Sequence, residues 1–270
     1  VENTHSYILF FTDKGKCYWV KVYDIPEGGR AAKGRAIVNL IGCEPDEKVS
    51  AFIGVKQDQF HDDHFVVMAT EKGIVKKTKL SAYSNPRKKG IYAVEIREGD
   101  SLIEARVSNG ENDILLGTTN GKSIRFSEEQ IRPSGRKTMG VKGITLSSSD
   151  DKVVGMLLIK REGTVLVATE NGFGKRTEII QYRAQKRGGK GVLTMKTTDK
   201  IGKMITIKEV VGTDDLMIIR DDGVLIRMPV SQIRSIGRAT QGVKLIKLAE
   251  GTRAVSYTHL RAHETDSYLV

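Results

Sequence analysis

The chain of 270 residues is long enough to bury a sizeable core as one large domain or two ordinary ones. It carries 44 Lys and Arg against 33 Asp and Glu, for a formal net charge of +11 and a pI near 9.5. These cations are spread through the sequence, which favours a folded basic surface with a nucleic-acid partner. An anionic membrane is disfavoured, because no run approaches 18 apolar residues and no basic amphipathic helix is visible.

The first residues and the cysteines indicate the cellular compartment in which the protein is expected. The first residues are polar, which argues against a secretory signal. The two cysteines, Cys17 and Cys43, show no CxxC spacing, so neither a disulfide framework nor a structural zinc site is expected. A reducing cytoplasm is the predicted compartment.

One motif occurs five times along the chain: an apolar run, a turn ending in glycine, a second strand with basic residues, and a basic loop with glycine. The turn glycines lie 58, 48, 51 and 51 residues apart, at Gly15, Gly73, Gly121, Gly172 and Gly223. This is the spacing of propeller blades of about four antiparallel strands, so the predicted fold is all-β. Asn-Gly and Asp-Gly between apolar runs predict a type I′ hairpin at the start of each repeat.

Two positions are occupied by similar residues in successive repeats. Ten residues after each turn glycine stands a large residue that we interpret as a core anchor, at Ile25, Tyr83, Ile131, Tyr182 and Ile233. Four residues after the glycine stand Trp19, Lys77, Arg125, Arg176 and Arg227. Strand alternation predicts that the four cations of this set face solvent. Their repetition favours a ring of positive potential over ordinary solvated strand faces.

The basic loops are the candidate nucleic-acid-binding segments. The fourth loop is Gln185, Lys186, Arg187, Gly188, Gly189, Lys190 and Gly191, in which three cations accompany three glycines that let a phosphate approach the backbone. An ordinary glycine-rich turn with solvated charges is the alternative for this string alone. The other loops supply the remaining candidate contacts, at Arg30, Lys33, Arg87, Lys88, Lys89, Arg136, Lys137 and Arg238.

No catalytic or metal-binding set is expected in this chain. Adjacent ligand-type residues at His61–His64 are interpreted as solvated, because they lie in a loop between repeats. The third loop approaches a phosphate-loop pattern, but Val141 separates Gly140 from Lys142 and breaks it. We therefore predict no catalytic residue, no metal and no cofactor within the chain.

The fourth loop resembles the gyrase A box, Q(R/K)RGG(R/K)G, of the C-terminal DNA-wrapping domain of DNA gyrase A. The resemblance covers residues 1 to about 254 and includes SYILFFTDKGKCYWVKVYDIPE, TVLVATENGFGKRTEIIQYRAQKRGGKG and DLMIIRDDGVLIRMPVSQI. It implies a six-bladed β-pinwheel that wraps duplex DNA. It also implies a non-catalytic part of an ATP-dependent type II topoisomerase, which works with the rest of gyrase A and with gyrase B in an A2B2 holoenzyme that binds ATP and Mg elsewhere.

The chain departs from the family pattern at both ends. The family's principal box normally closes the first blade, so residues 6 to 248 are expected to be blades two to six, with the first blade missing and the box of residues 185–191 a secondary copy. The pinwheel is expected to span residues 1–254. Residues 255–270 resemble translated adapter sequence, and we expect this tail to be unrelated and without a fold.

Two other classes of function remain open from the sequence. The C-terminal domain of topoisomerase IV, in the subunit that corresponds to gyrase A, has similar blades, but its box is degenerate or missing, so the intact heptapeptide argues against it. A protein-interaction propeller has no reason to repeat Lys or Arg at matching positions, and its binding should depend much less on salt.

Overall fold

The computed structural model describes residues 3–28, 34, 36–160, 162–249 and 251–260. Within these ranges the chain forms four four-stranded antiparallel sheets and one three-stranded sheet, which confirms the all-β fold class. The chain divides into two compact units, Val1–Glu111 with Glu128–Lys142 and Asn112–Ser127 with Gly143–Val270. The first two sheets in chain order belong to the first unit, and the other three belong to the second.

The described strands recur with the period of the turn glycines. In chain order they are β1 Tyr7–Thr12, β2 Lys16–Lys21, β3 Val49–Val55, β4 Phe65–Thr70, β5 Ile74–Lys79, β6 Ile91–Tyr92, β7 Leu102–Ser108, β8 Asp113–Thr118, β9 Lys122–Ser127, β10 Val141–Lys142, β11 Val153–Ile159, β12 Thr164–Thr169, β13 Phe173–Glu178, β14 Val192–Leu193, β15 Met204–Val210, β16 Asp215–Arg220, β17 Leu225–Pro229, β18 Val243–Lys244 and β19 Ala254–Leu260.

Four of the sheets receive a short strand from the repeat that follows. Numbered in chain order, sheets 1 to 5 have the strand orders β3-β1-β2-β6, β10-β5-β4-β7, β11-β8-β9-β14, β15-β12-β13-β18 and β17-β16-β19. Three long strands of a sheet come from one repeat, and the two-residue strands β6, β10, β14 and β18 follow the basic loop of the next repeat. Each of these loops therefore leads from its own repeat to the edge of the preceding sheet.

The hairpin turns are not of the predicted type I′. All five turn glycines have positive φ, from 75° at Gly121 to 82° at Gly73 and Gly223, but no other described residue type does. The amide of Gly15 donates to the carbonyl of Thr12 over 2.9 Å, and the other four turns repeat this bond. The geometry is that of a type I turn followed by a left-handed glycine, in which only the glycine needs positive φ.

Helical structure in the described residues is short. One α-helix, α1, spans Ile37–Ile41. Single-turn 3-10 helices follow the second strand of each repeat, and another follows β3; they are Val22–Asp24, Gln57–Gln59, Leu80–Tyr83, Glu128–Gln130, Ile179–Gln181 and Val230–Gln232.

The predicted core anchors are buried in four of the five repeats. Tyr83, Ile131, Tyr182 and Ile233 expose at most 2% of their surface, whereas Ile25 is half-buried. The 3-10 helices carry these residues inward, where Tyr83 packs edge to face on Phe11 with ring centroids 5.9 Å apart. Burial removes the two tyrosines from any stacking role on a ligand.

The expectation that the chain has no fold after residue 254 is wrong for residues 255–260. These residues lie in β19, which pairs along the whole of β16 and supplies the third strand of sheet 5. Tyr257 is 2% exposed, and its hydroxyl donates to the carbonyl of Thr169 over 2.9 Å. In this segment Val255 and Tyr257 alternate with polar residues, which is a pattern typical of a β-strand. Residues 261–270 lie outside the described residues.

Candidate nucleic-acid interface

Four basic loops can be placed in the structure. We call them loop 2 (Pro86–Gly90), loop 3 (Gly135–Gly140), loop 4 (Gln185–Gly191) and loop 5 (Gly237–Gly242). Each lies between a 3-10 helix and a two-residue strand. The predicted contacts Arg30 and Lys33 of the first loop lie outside the described residues.

The backbones of loops 3, 4 and 5 begin in the same way. The amides of Ser134, Gln185 and Ile236 donate to the carbonyls of Lys77, Arg125 and Arg176, over 2.8 to 2.9 Å. Each donor stands six residues before the last glycine of its loop, and each acceptor stands four residues after a turn glycine. Gln185 of the heptapeptide therefore occupies the same backbone position as Ser134 and Ile236 and makes the equivalent hydrogen bond.

The last glycine of each loop is required by close packing on the preceding sheet. A Cβ at Gly191 would lie 2.3 Å from the carbonyl oxygen of Ser123, and one at Gly140 would lie 2.5 Å from that of Val75. Gly242 stands in the same relation to the carbonyl oxygen of Gly174, and Gly90 to that of Cys17. All four glycines have positive φ, so both the space and the backbone conformation exclude a side chain.

The two internal glycines of loop 4 differ from each other. Gly188 has a φ of 80°, which a side chain would strain. Gly189 has no such constraint, and a Cβ there would meet only ordinary contacts, 3.4 Å from the δ-methyl of Ile124 and 3.5 Å from the carbonyl of Lys186. Its glycine is thus not demanded by the fold, which makes it a candidate for close approach by a ligand.

A neighbouring segment holds the centre of loop 4. The amide of Gly188 donates to the carbonyl of Gly143 over 2.6 Å. Thr145 donates its amide to the carbonyl of Gly189 over 2.9 Å and its hydroxyl to the carbonyl of Gly188 over 2.6 Å. These three hydrogen bonds fix the loop without using its cations.

The cations of loop 4 remain directed to the surface. Lys186 and Lys190 are exposed, Arg187 is half-buried, and neither lysine makes an ion pair with any described residue. Some exposed lysines outside the loops do pair with carboxylates, as Lys203 does with Asp150 over 3.0 Å. These two lysines therefore present charge that no carboxylate among the described residues compensates, which is what a polyanion needs.

Loops 2 and 3 present further cations of the same kind. Arg87, Lys88, Lys89 and Lys137 are exposed, and none of them makes an ion pair within the described part of the chain. Arg136 is half-buried, as is Arg238 of loop 5, whose guanidinium donates to the carbonyl of Leu193 over 3.0 Å.

The prediction that Lys77, Arg125 and Arg176 face solvent is wrong. Lys77 is 5% exposed, 3.4 Å from the carboxylate of Glu128 and 4.8 Å from the ring centroid of Phe65. Arg125 and Arg176 are half-buried. Strand alternation failed here because the second strand of a repeat packs against the 3-10 helix of the next repeat.

The position four residues after the turn glycine instead joins successive repeats. Arg125 donates to the carbonyls of Ile179 and Tyr182 over 3.3 and 3.2 Å, and Arg176 donates to that of Ile233 over 2.7 Å. Trp19 makes the same link with its indole nitrogen, 2.9 Å from the carbonyl of Tyr83. Arg227 has an exposed side chain, and it pairs with Asp215 of its own sheet.

Sequence reasoning missed two lysines that stand three residues after a turn glycine. Lys76 is 1% exposed, and its ammonium donates to the carbonyls of Ala93, over 2.8 Å, and of Arg136. Lys175 is fully buried and donates to the carbonyls of Gly237, over 2.7 Å, and of Arg238. Burial, with Arg136 or Arg238 nearby, lowers the pKa of both lysines to about 8.

Two other kinds of site do not occur among the described residues. No helix there is long and apolar enough to cross a membrane. No three of their His, Cys, Asp or Glu side chains come together as a metal site. Within the segment 61–64, Asp62 pairs with Lys79 over 2.7 Å, and Asp63 pairs with His64 over 2.9 Å.

The chain is similar to known proteins along nearly its whole length. The family described as DNA gyrase C-terminal domain, beta-propeller, matches residues 6–55, 64–109, 112–160, 163–210 and 214–252. DNA gyrase A of Staphylococcus aureus, in strains NCTC 8325 / PS 47 and COL, is 46% identical over 250 residues. That alignment covers 92% of this chain but 28% of the relative, so the chain spans little more than a quarter of the relatives' length.

Solved structures agree on the fold. The C-terminal domain of DNA topoisomerase IV aligns with a TM-score of 0.88 at 24% identity, covering 98% of this chain and 82% of that one. The DNA gyrase A C-terminal domain aligns with a TM-score of 0.81 at 22% identity, covering 96% and 83%. With five matched repeats and a relative at 46% identity, the chain belongs to the DNA gyrase C-terminal domain family.

Proposed function

We propose that this chain binds duplex DNA through its basic loops with little sequence preference. The observation that carries the proposal is loop 4, whose backbone is held by Gly143 and Thr145 while Lys186 and Lys190 stay exposed and without ion pairs among the described residues. Cations on short loops suit phosphates, and the described residues offer no helix long enough to read base edges in the major groove.

The proposal extends to bending and wrapping of DNA. Smooth bending of 20 to 30 base pairs costs on the order of 1–6 kcal/mol, so several loops must act together to offset it. Repeated backbone contacts without base readout hold DNA on histones in this way. Loops 2 to 5 recur at matching points of successive repeats, which supports a repeated contact of the same kind.

Family membership supports a proposal for the cellular context. The chain would act in the bacterial cytoplasm as the non-catalytic part of gyrase A. With the rest of that polypeptide and with gyrase B, it would enable ATP-dependent negative supercoiling, and ATP and Mg would bind elsewhere in the holoenzyme. A topoisomerase IV domain is the alternative; its solved structure aligns with the higher TM-score, but at 24% identity this likeness concerns the fold alone. The 46% identity to gyrase A supports the gyrase assignment.

Salt dependence tests the binding. Each phosphate contact adds about 0.9 to the slope of log K against log salt concentration. We expect Lys186→Ala/Lys190→Ala to lower that slope by about 1 to 2. The matched control is Lys14→Ala/Lys203→Ala, which removes the same charge from lysines paired with Asp46 and Asp150 and should change the slope little. Equal loss in both variants would show that only net charge matters, and a flat slope in the parent would contradict the proposal.

Wrapping has its own test. The chain is bound to a nicked circular plasmid, the nick is sealed by ligase, and the protein is removed. Wrapping predicts a shift in the distribution of topoisomers that grows with the ratio of protein to DNA. Binding with an unchanged topoisomer distribution would restrict the proposed function to DNA binding.

A further inference from the structure

Lys76 and Lys175 are placed to control two of the basic loops. They hold the same position in sheets 2 and 4, three residues after the turn glycine, and expose 1% and 0% of their surface. Each ammonium points at carbonyl oxygens of the next repeat's loop: that of Arg136 in loop 3, and those of Gly237 and Arg238 in loop 5.

The chemistry of these contacts is unusual for buried lysines. A buried ammonium ordinarily pairs with a carboxylate, because desolvation of a charge is costly. The hydrogen-bond partners here are neutral. Lys76 donates to two carbonyls, and Lys175 donates to two carbonyls and to the hydroxyl of Thr240 over 3.0 Å. The charge therefore serves to fix loop backbone.

Each ammonium lies near an arginine of the loop that it contacts. Burial and the nearby Arg136 lower the pKa of Lys76, whereas Glu95 raises it. Burial and the nearby Arg238 lower the pKa of Lys175. Both sheets thus hold a buried cation beside the half-buried arginine of the loop that it contacts. A phosphate at that arginine would meet both charges.

The same position in sheet 3 is Ile124, and the loop above it is built differently. A Cβ on Gly189 would lie 3.4 Å from the Ile124 δ-methyl, and the hydrogen bonds of Gly143 and Thr145 hold loop 4. Loops 3 and 5, which accept hydrogen bonds from Lys76 and Lys175, share the pattern Gly-Arg-x-Thr-x-Gly. In both loops the threonine hydroxyl donates to the carbonyl of the first glycine over 2.9 Å. The lysine and the loop pattern thus occur together.

We infer that Lys76 and Lys175 are positioning residues that hold loops 3 and 5 so that Arg136 and Arg238 can contact DNA phosphates. The inference rests on the proposed DNA binding. A positioning residue acts through the loop backbone, so its loss should change the arginine's contribution while leaving the fold intact.

The test replaces both lysines by methionine, which has a similar length and no charge. Lys76→Met/Lys175→Met should remain folded, because it removes the cost of burying a charge, although the loop carbonyls lose their hydrogen-bond donors. Its affinity for duplex DNA at pH 7 should fall about 10-fold or more, with a salt slope lower by about 1 to 2. The control, Lys14→Met/Lys203→Met, removes the same charge from ion-paired lysines and should bind like the parent.

A pH profile adds a reading that a merely structural role would not give. Between pH 7 and 9 the parent should lose affinity as the buried ammonium groups deprotonate, whereas the double methionine variant should show a flat profile. If the variant binds like its control at every pH, the lysines do not position the loops and the inference is overturned. Should the double variant fail to fold, the single variants Lys76→Met and Lys175→Met decide the matter one loop at a time.

Hydrogen exchange measured without DNA tests the positioning of the loops independently of the proposed DNA binding. The amides of Glu95 and Lys196 donate to the carbonyls of Thr138 and Thr240 over 3.1 Å, so their hydrogen exchange reports on loops 3 and 5 without DNA. Faster exchange at these two amides in the methionine variant, with the Thr145 amide that contacts loop 4 unchanged, supports positioning even if the parent does not bind DNA. Unchanged exchange at all three amides would contradict positioning.

Discussion

The cations of the second strands and the cations of the loops contrast in how the protein uses them. Lys77, Arg125 and Arg176 are buried or half-buried, and they bind carbonyls of the following repeat. Lys186 and Lys190 are exposed and make no ion pair with described residues. Both sets repeat with the period of the sheets, so periodic charge alone does not identify a binding surface. Burial and partners separate charge that supports the fold from charge left for a ligand.

The largest predicted effect tests the structural half of this contrast. Glu128→Gln leaves the buried ammonium of Lys77 without its carboxylate partner 3.4 Å away. Removing one partner of a buried pair typically costs about 3–5 kcal/mol of unfolding free energy. Denaturant unfolding should show this loss. The exposed carboxylate in Glu98→Gln serves as the control and should change stability by less than about 0.5 kcal/mol. A small effect of Glu128→Gln would remove the structural role assigned to Lys77.

The next effect separates the glycines of the heptapeptide. Gly191→Ala should destabilise the protein by at least about 1–2 kcal/mol, the cost of a left-handed alanine. Its Cβ would also lie 2.3 Å from the Ser123 carbonyl oxygen. Gly189→Ala meets only ordinary contacts and should unfold within about 0.5 kcal/mol of the parent. Equal unfolding curves for the two variants would contradict the structural role of the last glycine.

A smaller effect follows at Gly189 when DNA is present. If phosphate approaches the loop backbone closely, Gly189→Ala should weaken duplex binding about 3- to 10-fold, or about 1 kcal/mol, with no change in charge. Energy transfer between labelled duplex ends should show reduced bending in the same variant. Arg187→Ala should also reduce both. If Gly189→Ala binds and bends DNA like the parent while Arg187→Ala fails, loop 4 acts by charge alone.

A further effect is a pH dependence of stability. The pKa of Lys76 and of Lys175 is about 8 in the folded protein and near 10.5 in the unfolded chain. Between these values the unfolded chain binds more protons, so stability should rise as pH increases from about 8 to 10.5. Thermal unfolding should show this gain in the parent relative to Lys76→Met/Lys175→Met. A parallel pH dependence in both proteins would contradict the lowered pKa values.

Sequence patterns predicted features that depend on local backbone. The turn glycines have positive φ as expected, and the anchors Tyr83, Ile131, Tyr182 and Ile233 are buried. These features depend on one residue's conformation or on its apolar size, which a single sequence shows.

Features that depend on the neighbouring repeat were not predictable in the same way. The exchanged strands β6, β10, β14 and β18 are two residues long, too short for a periodic pattern. Lys76 and Lys175 lie on strands, where a lysine side chain usually faces solvent. Their burial is explained only by the loop carbonyls that pack over them. Strand β19 lies in a segment whose resemblance to unrelated sequence concealed its alternating Val255 and Tyr257.

The central claim is that the loops, rather than the basic surface as a whole, bind DNA. Lysine acetylation by a small reagent, quantified by mass spectrometry with and without duplex DNA, measures this directly because it reports each side chain. We predict protection of Lys88, Lys89, Lys137, Lys186 and Lys190, with the ion-paired Lys14, Lys79 and Lys203 modified equally in both states. Uniform protection, or protection confined to the ion-paired lysines, would contradict the account.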